Sequence, residues 1–454
     1  MYSNVANLKS TLKIKYTRML GVAGLDFHII LTLLFRGWGI LAGFSTLLLL
    51  PLWLSPTEQG YYFTFGSVLA LQIFFELGLN QIVMQFVSHE VAHLSEMPDG
   101  RLTGEESHLG RLSSLARLFS RWYGVAAMLF AFIGGTAGAI FFSLKGLESL
   151  PQWFGIWVVL VCATAVNLWL SPGLALMEGI GKVGQVARLR LVQSVLGYAL
   201  LWATLLTGGG LWAVTVVPVV SALCTGYWLK AHGNTLHWLS CRAVDIKNQV
   251  SWRNDVLPLQ WRIALSWVSG YLIFNLFTPI VFSRHGAVEA GQLGMALAVF
   301  SAILNVGMSW VSAKAPNFTM HIARGERREL ISLFKALFVR SSVVIAFTSS
   351  GFVLVALYLN EIGLPLMMRI SSPRVLTVLA VATTVNSAVF AMAIYMRAHR
   401  KEPMLIQSIV VGLLVVCAVY IASPYGVLTM MLLYMMICVF ISLPWTVWLF
   451  VKHL

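Results

Sequence analysis

Twelve apolar stretches, each closed by a short polar break, run through nearly the whole chain; we place them at 28–54, 61–87, 122–143, 153–176, 186–206, 209–229, 258–283, 290–313, 339–359, 374–396, 404–422 and 425–450. A hydrocarbon core of about 30 Å is crossed by about 20 apolar residues in a helix, which satisfies its own backbone in lipid. The expectation is an all-α integral membrane protein of about 12 transmembrane helices. The chain is 58% hydrophobic and only 11% charged, whereas a soluble domain carries about 25% charge.

Net charge is +14, and the cations follow topology. If the N-terminus lies in the cytoplasm, 25 of the 31 Lys and Arg fall on that side, from Lys9, Lys13, Lys15 and Arg18 through Arg101, Arg111, Lys182, Arg242, Arg327 and Arg397 to Lys452. Lys145, Arg284, Arg369 and Arg374 fall outside, and Arg36 and Arg262 lie within spans. This positive-inside bias predicts an even span count with both termini cytoplasmic. It also removes the nucleic-acid reading, which needs a basic surface on a soluble domain. The first apolar run is too long for a signal peptide and no A-x-A-like cleavage site follows it, so the first span is expected to be retained. Cys162, Cys224, Cys241, Cys417 and Cys438 form no C-x-x-C pair and point to neither a disulfide framework nor a zinc site.

The turns assigned to the outer side are short, and the longer breaks are cytoplasmic. We expect amphipathic surface helices in 88–121 and in 230–257, the latter joining two halves: 1–230 as an N-terminal six-helix bundle, 231–257 as linker and 258–454 as a C-terminal six-helix bundle. A weak internal repeat supports the division. Glu58 and Gly60 before span 2 match Glu289 and Gly291 before span 8, and Met177 with Lys182 after span 4 matches Met396 with Lys401 after span 10. Equal rank and equal orientation imply a parallel repeat about an axis along the membrane normal, a plan that places substrate between the halves.

Few polar residues enter the spans. A charged side chain at mid-bilayer costs roughly 2.5–3.5 kcal/mol on insertion scales, so Arg36 and Arg262 call for a cavity or a partner. Gly37, Gly39 and Gly43 beside Arg36 suit either a close backbone approach or a cavity wall. Arg262 lies about one turn from the end of its span, where snorkelling competes, and Asn275 lies further along. Gln72, Glu76 and Asn80 follow an i, i+4, i+8 spacing that would line one helical face. Glu76 could pair with an arginine, bind a coupling ion or cross-link helices. Asn305 and Asn386 are weaker candidates, read most simply as interhelical hydrogen bonds. His89-Glu90-Val91-Ala92-His93 matches the H-E-x-x-H pattern of zinc proteases, but it stands at the mouth of span 2 with too little chain after it for a protease domain. No metal site is expected, and no nucleotide-binding or nucleophile motif calls for a cofactor.

Leu54, Glu58, Gly60 and Tyr62, followed by Glu76-Leu77-Gly78-Leu79, resemble the start of the polysaccharide and O-antigen flippases of the multidrug/oligosaccharidyl-lipid/polysaccharide (MOP) exporter superfamily. Met177-Glu178-Gly179 with Lys182 is similar to that family's turn after span four. The resemblance implies a V-shaped, MATE/MOP-like pair of six-helix bundles around a cationic cavity in a bacterial inner membrane. It implies a non-enzymatic flippase that moves an undecaprenyl-pyrophosphate-linked oligosaccharide, with the bilayer and other polysaccharide-assembly proteins as partners. Arg36 and, less directly, Arg262 carry over as cavity cations, and arginine forks suit pyrophosphate oxygens. A drug or cation antiporter of the same fold and a polysaccharide-synthesis membrane enzyme stand as alternatives.

Overall fold

The computed structural model describes residues 27–97, 101–146, 152–242, 244–245, 247, 249–399 and 403–453; the side chains of 27–33, Arg36, Leu259, Arg262 and His453 lie outside that description. The described chain is nearly all helix. Helix α1 (Phe27–Trp53) is the first span. Span 2 is built from α2 (Pro56–Leu69), a 3-10 turn (Ala70–Gln72), a single turn (Ile73–Glu76) and α3 (Leu79–Val91). A hairpin of β1 (Leu94–Glu96) and β2 (Leu102–Gly104) follows, with Ser95 opposite Thr103. Span 3 joins α4 (Glu106–Leu129) to α5 (Gly135–Lys145) through a π-helical turn. Spans 4, 5 and 6 are α6 (Trp153–Gly179), α7 (Val183–Leu206) and α8 (Ala213–His232).

After the short α9 (Asn234–Cys241), span 7 comprises α10 (Leu257–Phe274) and α11 (Phe277–His285). Spans 8 to 11 are α12 (Ala287–Arg324), α13 (Arg327–Glu361), α14 (Pro373–Ala398) and α15 (Leu405–Ala422); span 12 joins α16 (Val427–Ile437) to α17 (Leu443–His453). Ten described spans, three of them joined from two helices, are long and apolar enough to cross a membrane, the bent span 2 makes eleven, and α1 contributes a shorter apolar helix at Gly37–Trp53.

Helix packing repeats at an interval of six spans. In the first half α1 packs on α7, α7 on α8, α3 and α4 on α6, and α6 on α8. In the second, α10 packs on α15, α15 on α16, α12 and α13 on α14, and α14 on α16. A side-chain clasp repeats with them. Gln193 on span 5 donates to the Ser221 carbonyl (3.2 Å) and the Thr225 hydroxyl (2.6 Å) on span 6. Gln407 on span 11 donates to the Ser442 carbonyl (3.2 Å) and the Thr446 hydroxyl (3.1 Å) on span 12. A glutamine that fills its donors on a neighbouring helix fixes the pair in a solvent without water.

Spans 2 and 8 cross where α2 meets α12. Ser55 and Glu58 form a capping box: the Ser55 hydroxyl accepts from the Glu58 amide, and the Glu58 carboxylate accepts from the Ser55 amide at 2.8 Å. Glu58 also accepts the Leu211 amide at 3.3 Å. Gly60 and Gly291 meet at the crossing. A methyl on Gly60 would overlap the Ala287 carbonyl, and one on Gly291 would lie 2.7 Å from the Gly60 nitrogen. Gln59, only 1% exposed, donates across the crossing to the carbonyls of Gly291 (3.1 Å) and Arg369 (2.7 Å).

Two expectations are corrected. The stretch 88–121 is not a surface helix: it is the end of span 2, the hairpin and the first four turns of span 3, which starts at Glu106. Leu109, Leu112, Leu115 and Phe119 are buried along that extension, packed in the core. Among the described residues of 230–257, the end of α8 and the short α9 are followed by a π-helical turn at Trp252–Val256 that leads into α10. This segment is pinned along span 3 by Trp252 stacked on Trp122 (4.4 Å) and by the Val250 amide on the Ser114 hydroxyl (2.9 Å).

Candidate functional site

Span 2 breaks in the middle. Leu77 (φ 50) and Gly78 (φ 69) adopt left-handed backbone, and the two halves of the span bend by 41°. Leu77 is the one non-glycine described residue with a positive φ, a conformation that costs about 1–2 kcal/mol. The next residue leaves no room for a side chain: a methyl on Gly78 would lie 2.5 Å from Ile263 Cγ2 on α10, so the break is pressed against span 7. Phe74 packs edge-on to Tyr271 (5.2 Å), and the Tyr271 hydroxyl donates to the Ser67 carbonyl (3.2 Å). Discontinuous helices at mid-membrane are where transporters place substrate and ion sites.

The expected polar face is therefore not continuous, because the left-handed turn between Glu76 and Asn80 interrupts the helical register. Its last two members still meet: Asn80 Nδ2 donates to Glu76 Oε1 (2.7 Å), and the Tyr123 hydroxyl donates to Asn80 Oδ1 (2.9 Å). Among the described residues no hydrogen bond joins Gln72 or Asn275 to them. Gln72 ends the 3-10 turn, and Asn275 caps α10 where span 7 breaks. Arg36 and Arg262 lie on α1 and α10, and their side chains fall outside the described residues. Position 262 is next to Ile263, which touches the break. Near position 36, a methyl on Gly37, Gly39 or Gly43 would meet nothing within 4 Å. Among the described residues the close backbone approach is thus not made there, which suits a cavity wall or lipid.

Helix α12 parts two compartments. One of its faces, with Met295, Val299 and Ile303, lines an apolar groove of about 490 Å³ completed by Leu41, Phe44 and Leu48 of α1 and Thr348, Phe352 and Val355 of α13. The opposite face, with Leu304, Asn305, Met308 and Ser312, lines a cavity of about 380 Å³ inside the second half, more polar than the groove though its wall mixes apolar and polar side chains. Asn386 and Arg397 of α14, Gln407 and Ser408 of α15, and Ser442 also line it. The groove runs toward the protein face that carries Ser55 and Arg369. The cavity lies toward the opposite face, beside Arg397 and Met404.

The H-E-x-x-H motif is committed elsewhere. Glu90, 4% exposed, accepts His108 Nδ1 at 2.7 Å and Arg111 Nε at 3.0 Å, tying α3 to α4, while His93 stacks on His108 at 4.3 Å. Among the described residues no group of three His, Cys, Asp or Glu is placed to hold a metal.

Sequence reading passed over Gln59 and Gln407. A signal for Gln407 was present, since Ser221 with Thr225 and Ser442 with Thr446 repeat one S-x-x-x-T spacing in spans 6 and 12. Gln59 lies between Glu58 and Gly60, and nothing in its residue type marks the crossing.

A nearly all-helical chain with paired packing six spans apart, a crossing of spans 2 and 8 and a broken helix at mid-span is a multi-pass membrane protein with a transporter fold. Among solved structures it is similar to the lipid II flippase MurJ in an inward closed conformation, with a TM-score of 0.60 at 13% identity over 94% of this chain and 89% of that one. It is also similar to an outward-facing multidrug-resistance MATE-family transporter of the MOP superfamily, with a TM-score of 0.50 at 13% identity over 93% of this chain and 94% of that one. No protein-family model and no curated protein matches the chain. Identity this low shows a shared fold, and both neighbours are transporters rather than enzymes.

Proposed function

We propose that this protein is a flippase that moves an undecaprenyl-pyrophosphate-linked oligosaccharide, such as an O-antigen or other surface-polysaccharide unit, from the cytoplasmic to the periplasmic leaflet by alternating access. The observation that carries the reading is the division made by α12: an apolar groove on one side and a polar cavity on the other. A free solute needs only the second. A lipid with a hydrophilic head needs both, and burial of its chain contributes about 0.8 kcal/mol per CH₂. The disposition also suits a lipid of the inner leaflet, whose head lies at the cytoplasmic side and whose tail points outward. Position 36 stands one turn from Ile40 of the groove lining, where a pyrophosphate joining tail to glycan would pass. A cationic drug would find no acidic side chain among the described lining residues of either compartment.

In this reading 1–230 and 258–454 are the two moving halves and 231–257 is their linker. Glu76, at the break with Asn80 and Tyr123, is the coupling acid. The face with His89 and Arg397 is cytoplasmic in a bacterial inner membrane. A reporter fused after residue 454 should then be active in cytoplasmic form, and periplasmic activity would reverse the orientation.

The groove is tested by a photo-crosslinking residue at Phe44 or Phe352. With radiolabelled undecaprenyl pyrophosphate in phospholipid vesicles, both positions should capture the isoprenoid well above its molar share of the lipid. The same residue at lipid-facing Phe440 should capture it only in proportion. Equal capture at all three would leave the groove as ordinary lipid contact.

A further inference from the structure

The polar cavity in the second half has a chemistry more specific than wet space. It is lined by spans 7, 8, 10, 11 and 12 and measures about 380 Å³, within the range of small-ligand sites. Its polar lining is amide and hydroxyl. Asn305, Ser312 and Ser408 make no side-chain hydrogen bond to another described residue, so their groups are open to an incoming partner. Gln407 and Asn386 are held in place from behind. Gln407 donates to Ser442 Oγ at 3.1 Å, and Asn386 donates to the Tyr434 hydroxyl at 2.8 Å. One wall is aromatic: Phe274 and Phe390 line the cavity with ring centroids 5.8 Å apart.

Among the described lining residues no side chain is acidic, and the one charged group is Arg397. A cation therefore meets no counter-charge. An apolar molecule would strand the Asn305 amide and the Ser312 and Ser408 hydroxyls, at about 1–3 kcal/mol for each buried group left unpaired. A ligand that satisfies this set carries many neutral donors and acceptors around a ring with an apolar face. That is the chemistry of a sugar.

We propose that this cavity is the glycan subsite: it receives a sugar ring of the lipid-linked substrate, with Asn305 and Ser408 donating to ring substituents and Phe274 and Phe390 packing on the ring face. The inference rests on the lipid-linked-glycan reading and adds to it where in the fold the sugar is recognised. The arrangement implies tolerance among sugars of similar size, because the Asn305 amide and the Ser312 and Ser408 hydroxyls donate or accept according to what is presented.

The experiment compares two probes on full-length protein in nanodiscs: undecaprenyl pyrophosphate, and the same lipid bearing one N-acetylhexosamine. The sugar should tighten binding roughly tenfold. Asn305→Leu should abolish that increment while leaving affinity for the sugar-free lipid unchanged, which also reports that the variant is folded. Asn305→Gln should keep part of the increment. If the sugar adds nothing to the unmodified protein, or the increment survives Asn305→Leu, the glycan subsite is overturned while the lipid reading stands. If neither lipid is held more tightly than a bulk phospholipid, both fall together.

Discussion

Arg36→Ala is expected to lower lipid-linked oligosaccharide transport by roughly 10- to 100-fold per correctly inserted molecule, the loss that follows when a charge-assisted hydrogen bond of about 1.5–3 kcal/mol is removed. The motive is an intramembrane cation in the first span, one turn from the apolar groove and beside glycines that touch no neighbour. Arg36→Lys keeps the charge but loses the bidentate fork, so it should retain partial transport. Arg36→Glu should be the most damaging, because it sets a like charge against the pyrophosphate. Transport is to be divided by the amount of inserted protein for each variant. An arginine that only packs helices would change that amount instead, and full transport per molecule in Arg36→Ala would remove it from the site.

Gly60→Val should be equally severe by a different route. The residue lies where α2 crosses α12, and even a methyl there would overlap the Ala287 carbonyl. A backbone cannot swing aside as a side-chain end can, so the crossing must open. Overpacking costs about 1–3 kcal/mol when side chains give way, and the buried Gln59 bonds to Gly291 and Arg369 would be stretched as well. The expected result is loss of most monodisperse protein on extraction in detergent, with Gly291→Val behaving alike. Gly43→Ala is the control, since its methyl would meet nothing within 4 Å. Survival of Gly60→Val at normal yield would mean that spans 2 and 8 do not cross as described.

Much of this fold was legible because the membrane allows few forms. Apolar runs announce helices, and the helix order follows. The repeated Glu and Gly before spans 2 and 8 also carried real information: both glutamates sit in the first turn of their helices, and both glycines meet at the crossing. The break in span 2 was not legible, because it lies against Ile263 of span 7, a residue far away in sequence. The hairpin was missed although Pro98-Asp99-Gly100 is a turn signal, because strands of three residues carry no readable period. The cavity escaped for a third reason. Asn305, Asn386 and Gln407 come from three spans, and each alone looks like an interhelical hydrogen bond. Only their convergence distinguishes Asn305, which has no described partner, from Gln407, which is clasped.

Leaflet transfer by the purified protein is the most direct test. Undecaprenyl-pyrophosphate-linked oligosaccharide is placed in the inner leaflet of liposomes containing only this protein, and its exposure outside is scored with a membrane-impermeant glycosidase. Protein-dependent appearance of the glycan, reduced by Arg36→Ala and absent for the same oligosaccharide without its lipid, is the predicted result. No transfer of the lipid-linked glycan, together with protein-dependent efflux of a cationic dye from the same liposomes, would contradict it.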